Sequence, residues 1–195
     1  MLLTITTSDE LFKQYVKHVL RWEGKLSNDP DDTASSCAPF KGAYHTNKGV
    51  TFCTFKKNAK ALGIAPVTYE RFMKLTDEDI AGFVMIFCKS AEASELPTLL
   101  ALSVTEAAWG SGPRRAIKHL QDALNNLGAK VDVDGDMGPQ TEKAVLLADP
   151  DALYREYWKE RQEYLDMLTR NPKYDQYKNG WNNRVNDFLK IFPEV

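Results

Sequence analysis

Leu20-Arg21-Trp22-Glu23-Gly24 closes the first helical pattern of the chain and hands one carboxylate, beside one tryptophan, to a long run of polar residues. Upstream, Leu11, Phe12, Tyr15, Val16, Val19 and Leu20 recur at helical spacing behind Thr7-Ser8-Asp9-Glu10, a predicted capping box in which Thr7 accepts from the Glu10 amide. Downstream, from Leu26 to Phe55, the helical period vanishes. Asn28-Asp29-Pro30-Asp31-Asp32, Ser35-Ser36, Gly42 and Gly49 mark turns between short extended pieces. A helix, then a small irregular or β region, then further helical patterns, predict a mainly α chain of α+β type.

Glu23 is the first residue to carry a chemical reading. It follows a helix end of partial negative charge and sits beside a large apolar ring, and both disfavour the ionised form. A carboxyl that keeps its proton suits hydrolysis of a glycosidic bond, where the leaving oxygen must be protonated as the bond breaks. The plain alternative is a surface glutamate at a helix end, with Gly24 as its cap. Asp29, Asp31 and Asp32 offer a second carboxylate, or are turn formers bonding their own backbone. Thr51, where the chain returns to a short strand or a helix entry, offers a hydroxyl that holds a water or satisfies backbone. His18 has no second ligand at metal spacing and reads as packed or solvated.

Composition narrows the classes. At 195 residues the chain supports one sizeable core, or a domain of about 110 residues with a smaller appended unit. A net charge of −2, with both signs dispersed, provides no face for neutralising phosphates, so nucleic acid is not an expected partner. No apolar run approaches the roughly 20 residues that cross a bilayer. Cys37, Cys53 and Cys88 are odd in number and widely spaced, which predicts three free thiols, a reducing compartment of synthesis and a thermal midpoint indifferent to reductant. Met1 to Ile5 lack the pattern of a secretory signal, so the expectation is synthesis in the cytoplasm and action on a target reached through a separate helper.

The remaining patterns are helical. Lys56 to Leu62 predicts a short helix ending at Gly63, and Thr76-Asp77-Glu78-Asp79 caps another through Ile80, Phe83, Val84, Ile86 and Phe87. Leu96-Pro97 opens a helix from Thr98 to Trp109 that is apolar nearly all round and therefore central, stopped by Gly110-Ser111-Gly112-Pro113. Glu106 near its end is either a second functional carboxylate or half of a salt bridge. Ala116 to Leu127 is amphipathic, and Thr141 lies inside or opens the next helix. Asp132, Asp134 and Asp136 alternate like a calcium loop, but Met137 stands where that loop needs glycine and Lys143 where it needs glutamate. Two final helices, Leu153 to Arg170 and Gly180 to Phe192, carry Tyr154, Tyr157, Trp158, Tyr164 and Trp181, an aromatic stripe read more readily as core than as a sugar platform.

Six segments in order carry a resemblance. They are Trp22-Glu23-Gly24; Asn28-Asp29-Pro30; Thr46-Asn47-Lys48-Gly49-Val50-Thr51; Glu106-Ala107-Ala108-Trp109-Gly110-Ser111-Gly112-Pro113; Leu120-Gln121 with Asp134-Gly135-Asp136-Met137-Gly138-Pro139-Gln140-Thr141; and Gly180-Trp181-Asn182-Asn183-Arg184-Val185. Together they resemble the N-acetylmuramidases of glycoside hydrolase family 108, lysozyme-like enzymes with a C-terminal peptidoglycan-binding module. The chain departs from the family pattern at Lys25, where a second glycine is usual, and in an insertion from Thr33 to His45.

The resemblance implies a lysozyme-like fold, with a catalytic domain over 1–112 and a peptidoglycan-binding-like helical module over 113–195 packed against it. It implies a lysozyme that cleaves between N-acetylmuramic acid and N-acetylglucosamine, with Glu23 as general acid and Asp29, Asp32 or a water on Thr51 completing the chemistry. Trp22, Asn47, Glu106, Trp109 and Trp181 are the expected substrate contacts. The expected partners are peptidoglycan glycan strands and a holin or other export helper, with the chain a monomer that needs no cofactor or metal. A non-catalytic peptidoglycan-binding protein with a degenerate cleft is the alternative. A zinc amidase built on His45, His119 and a cysteine lacks any ligand pair at metal spacing.

Overall fold

The computed structural model describes residues 6, 9–24 and 26–193. The chain divides into two compact units, Thr7–Met85 and Ile86–Val195, the latter including Met1–Thr6. Helix α1, Glu10–Trp22, opens the first unit with Asp9 as its N-cap. Thr7 and Ser8 of the anticipated capping box lie outside the described residues. α1 buries Phe12, Tyr15, Val16 and Val19 along one face, as their spacing requires.

A small antiparallel sheet follows: β1 (Leu26–Ser27), β2 (Thr46–Asn47) and β3 (Val50–Thr51), in that order. Thr46 pairs with Thr51 and Asn47 with Val50. The two-residue turn between β2 and β3 is Lys48-Gly49, with φ of 47° and 80°. Positive φ at both central residues is the mark of a type I′ hairpin, whose twist matches that of its strands. A 3-10 turn, Thr33–Cys37, occupies the insertion between β1 and β2, capped by Asp32.

Helix α2 (Phe52–Asn58) begins at Phe52 rather than Lys56 because the Thr51 hydroxyl accepts from the Thr54 amide and caps it directly off β3. A 3-10 turn carries it to Gly63. The pattern gave no sign of α3 (Tyr69–Met73), a single turn capped by Thr68. Helix α4 (Asp77–Ser90) opens on the predicted box: the Asp79 amide donates to Thr76 Oγ1 and the Thr76 amide to Asp79 Oδ2. Phe52, Phe55, Phe72 and Phe83, all buried, form the core of this unit ring against ring.

Cys37 and Cys53 form a disulfide with Cα atoms 5.3 Å apart, which corrects the expectation of three free thiols. Cys88, in α4, remains a buried thiol whose pKa is raised by burial. With this bond the cysteine argument for a reducing compartment falls away, and so does that for indifference to reductant. The spacing gave no warning because the pairing depends on how the irregular segment folds back onto the start of α2. Closing a loop of this length is worth about 3 kcal/mol through the unfolded chain. Reductant, or Cys37→Ser, is therefore expected to lower the calorimetric midpoint of this unit by roughly 10 °C or more, and an unmoved midpoint would refute the bond.

The second unit comprises a 3-10 turn, Ala93–Glu95, then α5 (Thr98–Ser111), α6 (Pro113–Asn126), α7 (Pro139–Leu147), α8 (Pro150–Thr169), α9 (Pro172–Asp175) and α10 (Lys178–Ile191). α5 is buried from Leu100 to Ala108 and packs on α6 and α8. An all-round apolar helix must be covered on every side, and its polar residues must find partners inside. Ser103 donates to the Leu99 carbonyl and accepts from Trp158 Nε1; Thr105 donates to the Ala101 carbonyl. Because α5 packs with the C-terminal helices, the compact boundary falls between Met85 and Ile86, ahead of the Gly112-Pro113 stop. No helix among the described residues is long and apolar enough to cross a membrane.

Between α6 and α7 the chain is held by Gln121, which is buried. Its amide donates to Asp134 Oδ1, the Asp136 carbonyl and Thr141 Oγ1, while its oxygen accepts from the Gly135 amide. The alternating aspartates are thus a loop closed by one glutamine. His119, on the same helix, is buried against Tyr157 and Tyr164 and is pushed down to about 3, first by burial and then by Arg161 and Arg115. Being neutral in the fold and titrating near 6.5 when unfolded, it supports stability fully above that pH and progressively less as pH falls toward 3. Unfolding at pH 5 is expected to be easier than at pH 7 by about 2 kcal/mol. Denaturant titrations of His119→Gln should lose that part of the slope; an unchanged slope would place its origin elsewhere.

Candidate active site

Glu23 is the C-cap of α1. Its amide still donates to the Val19 carbonyl at 2.9 Å, but its backbone is already extended, at φ −79° and ψ 130°. The side chain therefore leaves the helix and meets the hairpin turn. A Cβ built on Gly49 would lie 2.6 Å from both Cδ and Oε2 of Glu23 and 2.9 Å from its Cγ. The half-buried Glu23 carboxyl thus rests in the space that a side chain at 49 would fill. Glycine is required there twice, for the positive φ and for the missing Cβ. Sequence reading marked Gly49 only as a turn. Its second role was invisible because the group it admits is far away in the chain.

The hairpin brings further groups to this place. Thr46 and Thr51, paired across β2 and β3, project to one face and are both half-buried. Buried His45, just before β2, bonds Thr46 Oγ1 through Nδ1 at 2.8 Å and the Asp29 carbonyl through Nε2 at 3.1 Å. A carbonyl only accepts, so Nε2 carries a proton, and in the neutral ring Nδ1 then accepts from the Thr46 hydroxyl. That leaves the Thr46 oxygen with lone pairs to offer. Thr46 is a functional candidate that sequence reading passed over, although it opens one of the quoted segments, and His45 was weighed there only as a zinc ligand.

The sequence-predicted residues divide by what they already bond. Asp29 is exposed and accepts from the Asp31 amide through Oδ1; Asp32 accepts from the Ala34 amide as the cap of the 3-10 turn. Both are turn formers, and Asp29 is also tied to β2 through His45. Thr51 caps α2 and shares a bond with the Thr54 hydroxyl. Asn47 is buried, its amide donating to the Phe72 carbonyl at 2.8 Å. Trp22 is half-buried at the end of α1.

Glu106, Trp109 and Trp181 belong to the second unit. Glu106 is 2% exposed and bonded to Arg184 at 2.5 and 3.0 Å, both of its oxygens engaged. A lone carboxylate there would cost several kcal/mol, and a bidentate guanidinium answers that cost. The pair with Arg184 is the salt bridge that one of the two readings of Glu106 anticipated. Trp109 stands edge-on to Phe87 at 5.1 Å. Trp181 stacks on Tyr177 at 5.7 Å and lies against Tyr174, and Tyr177 is 45% exposed. The aromatic stripe therefore splits, with Tyr154, Tyr157 and Trp158 in the core and Trp181 in a surface patch. Among the described residues no three His, Cys, Asp or Glu side chains group as metal ligands.

Two family models match the chain, Glycosyl hydrolase 108 over residues 16–112 and Predicted Peptidoglycan domain over residues 115–186. The solved structure of Brucella abortus SagA is similar at 24% identity, with a TM-score of 0.67 over 92% of each chain. At that identity the likeness speaks to the fold, which is lysozyme-like and mainly α. No curated protein matches the chain.

Gly49→Ala is expected to displace the Glu23 carboxyl and to cost about 1–2 kcal/mol for the left-handed backbone alone. Denaturant unfolding reads the cost, and the carboxyl carbon resonance of Glu23 reads the displacement. An unshifted resonance would show that the contact is not made.

Proposed function

The chain belongs to the glycosyl hydrolase 108 family and is a peptidoglycan hydrolase; from that premise we propose that it cleaves between N-acetylmuramic acid and N-acetylglucosamine with Glu23 as general acid. The observation that carries the proposal is the seat of Glu23. An acid must be held within hydrogen-bond reach of one oxygen, and the Glu23 carboxyl lies against a glycine of a type I′ turn, in the space that a side chain at 49 would fill.

In this reading Glu23 gives its proton to the glycosidic oxygen as the bond to the departing sugar breaks, and positive charge develops on the muramic ring. The attacking water is held on the hairpin face by Thr51 and Thr46, the latter fixed by His45. Asp29 takes the proton of that water, and Asp32 holds the turn that follows it. Trp22, next to Glu23 in the first unit, serves as an apolar face for a sugar ring, and Trp109 and Trp181 offer such faces within the second unit. Asn47 and Glu106, whose polar groups are used inside the protein, act by positioning rather than by contact.

Glu23→Gln keeps shape and hydrogen bonding but cannot donate the proton. It is expected to lose 10²-fold or more in the release of reducing ends from purified peptidoglycan, with its melting curve unchanged. A folded variant that keeps most of the activity sinks the assignment.

A further inference from the structure

We propose that a groove in the second unit binds the peptide stem of peptidoglycan, its apolar floor taking small side chains and two lysines at its edge taking carboxylates. The inference rests on the peptidoglycan reading above and names where in this chain the peptide part would be held. The groove, about 600 Å³, lies among α6, the turn after it, α7 and the start of α8. Its floor and walls include Leu124, Leu127, Val131, Ala144, Leu147 and Ala152. Leu127 and Leu147 stay 43% and 76% exposed, so folding alone leaves them in water.

The turn that forms one wall is built rather than slack. Gly128 ends α6 at φ 95°, and the Ala129 amide returns to the Leu124 carbonyl. Asn125 grips Val131 on both sides, donating to its carbonyl at 2.8 Å and accepting from its amide at 2.9 Å. Such a wall keeps its shape with no ligand present, which lowers the cost of binding.

Charge selects the occupant. Lys130 and Lys143 line the groove, and neither has a carboxylate partner among the described residues. Asp149 lines it as well; its Oδ1 accepts from the Ala152 amide as the cap of α8, which leaves a second oxygen for an amine. Two ammonium groups, one carboxylate and an alanine- and leucine-rich floor match a short peptide of methyl side chains, free carboxylates and one diamino residue. A glycan strand would want rings to stack on, and no aromatic residue lines this groove.

The test is a methyl NMR titration of the full chain with a synthetic stem peptide of alanine, γ-linked glutamate, a diamino acid and D-alanine, run beside peptide-free glycan strands. The peptide should shift the methyl signals of Leu124, Leu127 and Leu147, and the bare glycan should not. Lys130→Glu with Lys143→Glu, both at exposed positions, should weaken the peptide by about tenfold or more; Leu147→Ser is a second variant expected to weaken it without touching charge. The inference is overturned if the peptide leaves these methyls unmoved while peptidoglycan is still cleaved, if the charge-reversed protein binds it equally well, or if bare glycan fills the groove. Peptide binding by a chain that cleaves nothing would sustain the groove and sink the hydrolase proposal.

Discussion

The Glu23 carboxyl lying across Gly49 is the contact on which the first unit turns. Two-residue strands cannot hold a register by themselves, because each adds only one or two ladder bonds against the entropy of ordering its backbone. Here the register is set by what surrounds them. The type I′ turn fixes β2 to β3, His45 ties the Asp29 turn to β2, and the disulfide anchors the insertion to the first turn of α2. The first of these acts on the backbone that Glu23 touches, and the others on the strand before it and the helix after it. Precision at the carboxyl is obtained from restraints on its seat.

The second unit solves a different problem, that of keeping polar groups inside a helical core. Glu106 and Gln121 are each nearly inaccessible, and each has every strong acceptor or donor engaged by groups distant in sequence. Such networks specify a structure more than they stabilise it, since an apolar replacement would fill the same space with fewer conditions. What they fix is the relation of α5 to α10 and of α6 to the loop before α7. The groove beside α7 inherits its shape from the second of these.

Much of this was legible in the sequence because it is local. The period of α1, the all-round apolar run of α5, the Gly112-Pro113 stop and the box at Thr76 are written in neighbouring residues. The six segments that carry the family resemblance were legible as well, but only as separate pieces. The structure joins four of them in two pairs and closes a fifth on itself. Glu23 meets the turn of Thr46–Thr51, Glu106 meets Arg184 of the last segment, and Gln121 closes the Asp134–Thr141 loop. What could not be read were partners across distance: the space Gly49 leaves open, the cysteine pair, the arginine for Glu106, and the short α3 that needs the ring cluster of Phe52, Phe55 and Phe72 to exist. Local propensity says nothing of such pairings, because the energy that selects them appears only once the chain has closed.

The two halves also show why the same residue type can be read in opposite ways at two places. Glu23 and Glu106 both sit near helix ends beside a tryptophan segment, and both read as functional carboxylates, Glu23 as the acid and Glu106 as a substrate contact. Glu106 is inside, and a buried carboxylate is tolerable only when fully bonded, so it takes a guanidinium. Glu23 stands one residue past its helix on extended backbone, half-buried, against a glycine that offers space in place of a side chain. What differs is burial and backbone: Glu106 lies within its helix with both oxygens on Arg184, whereas Glu23 has left its helix for the hairpin turn.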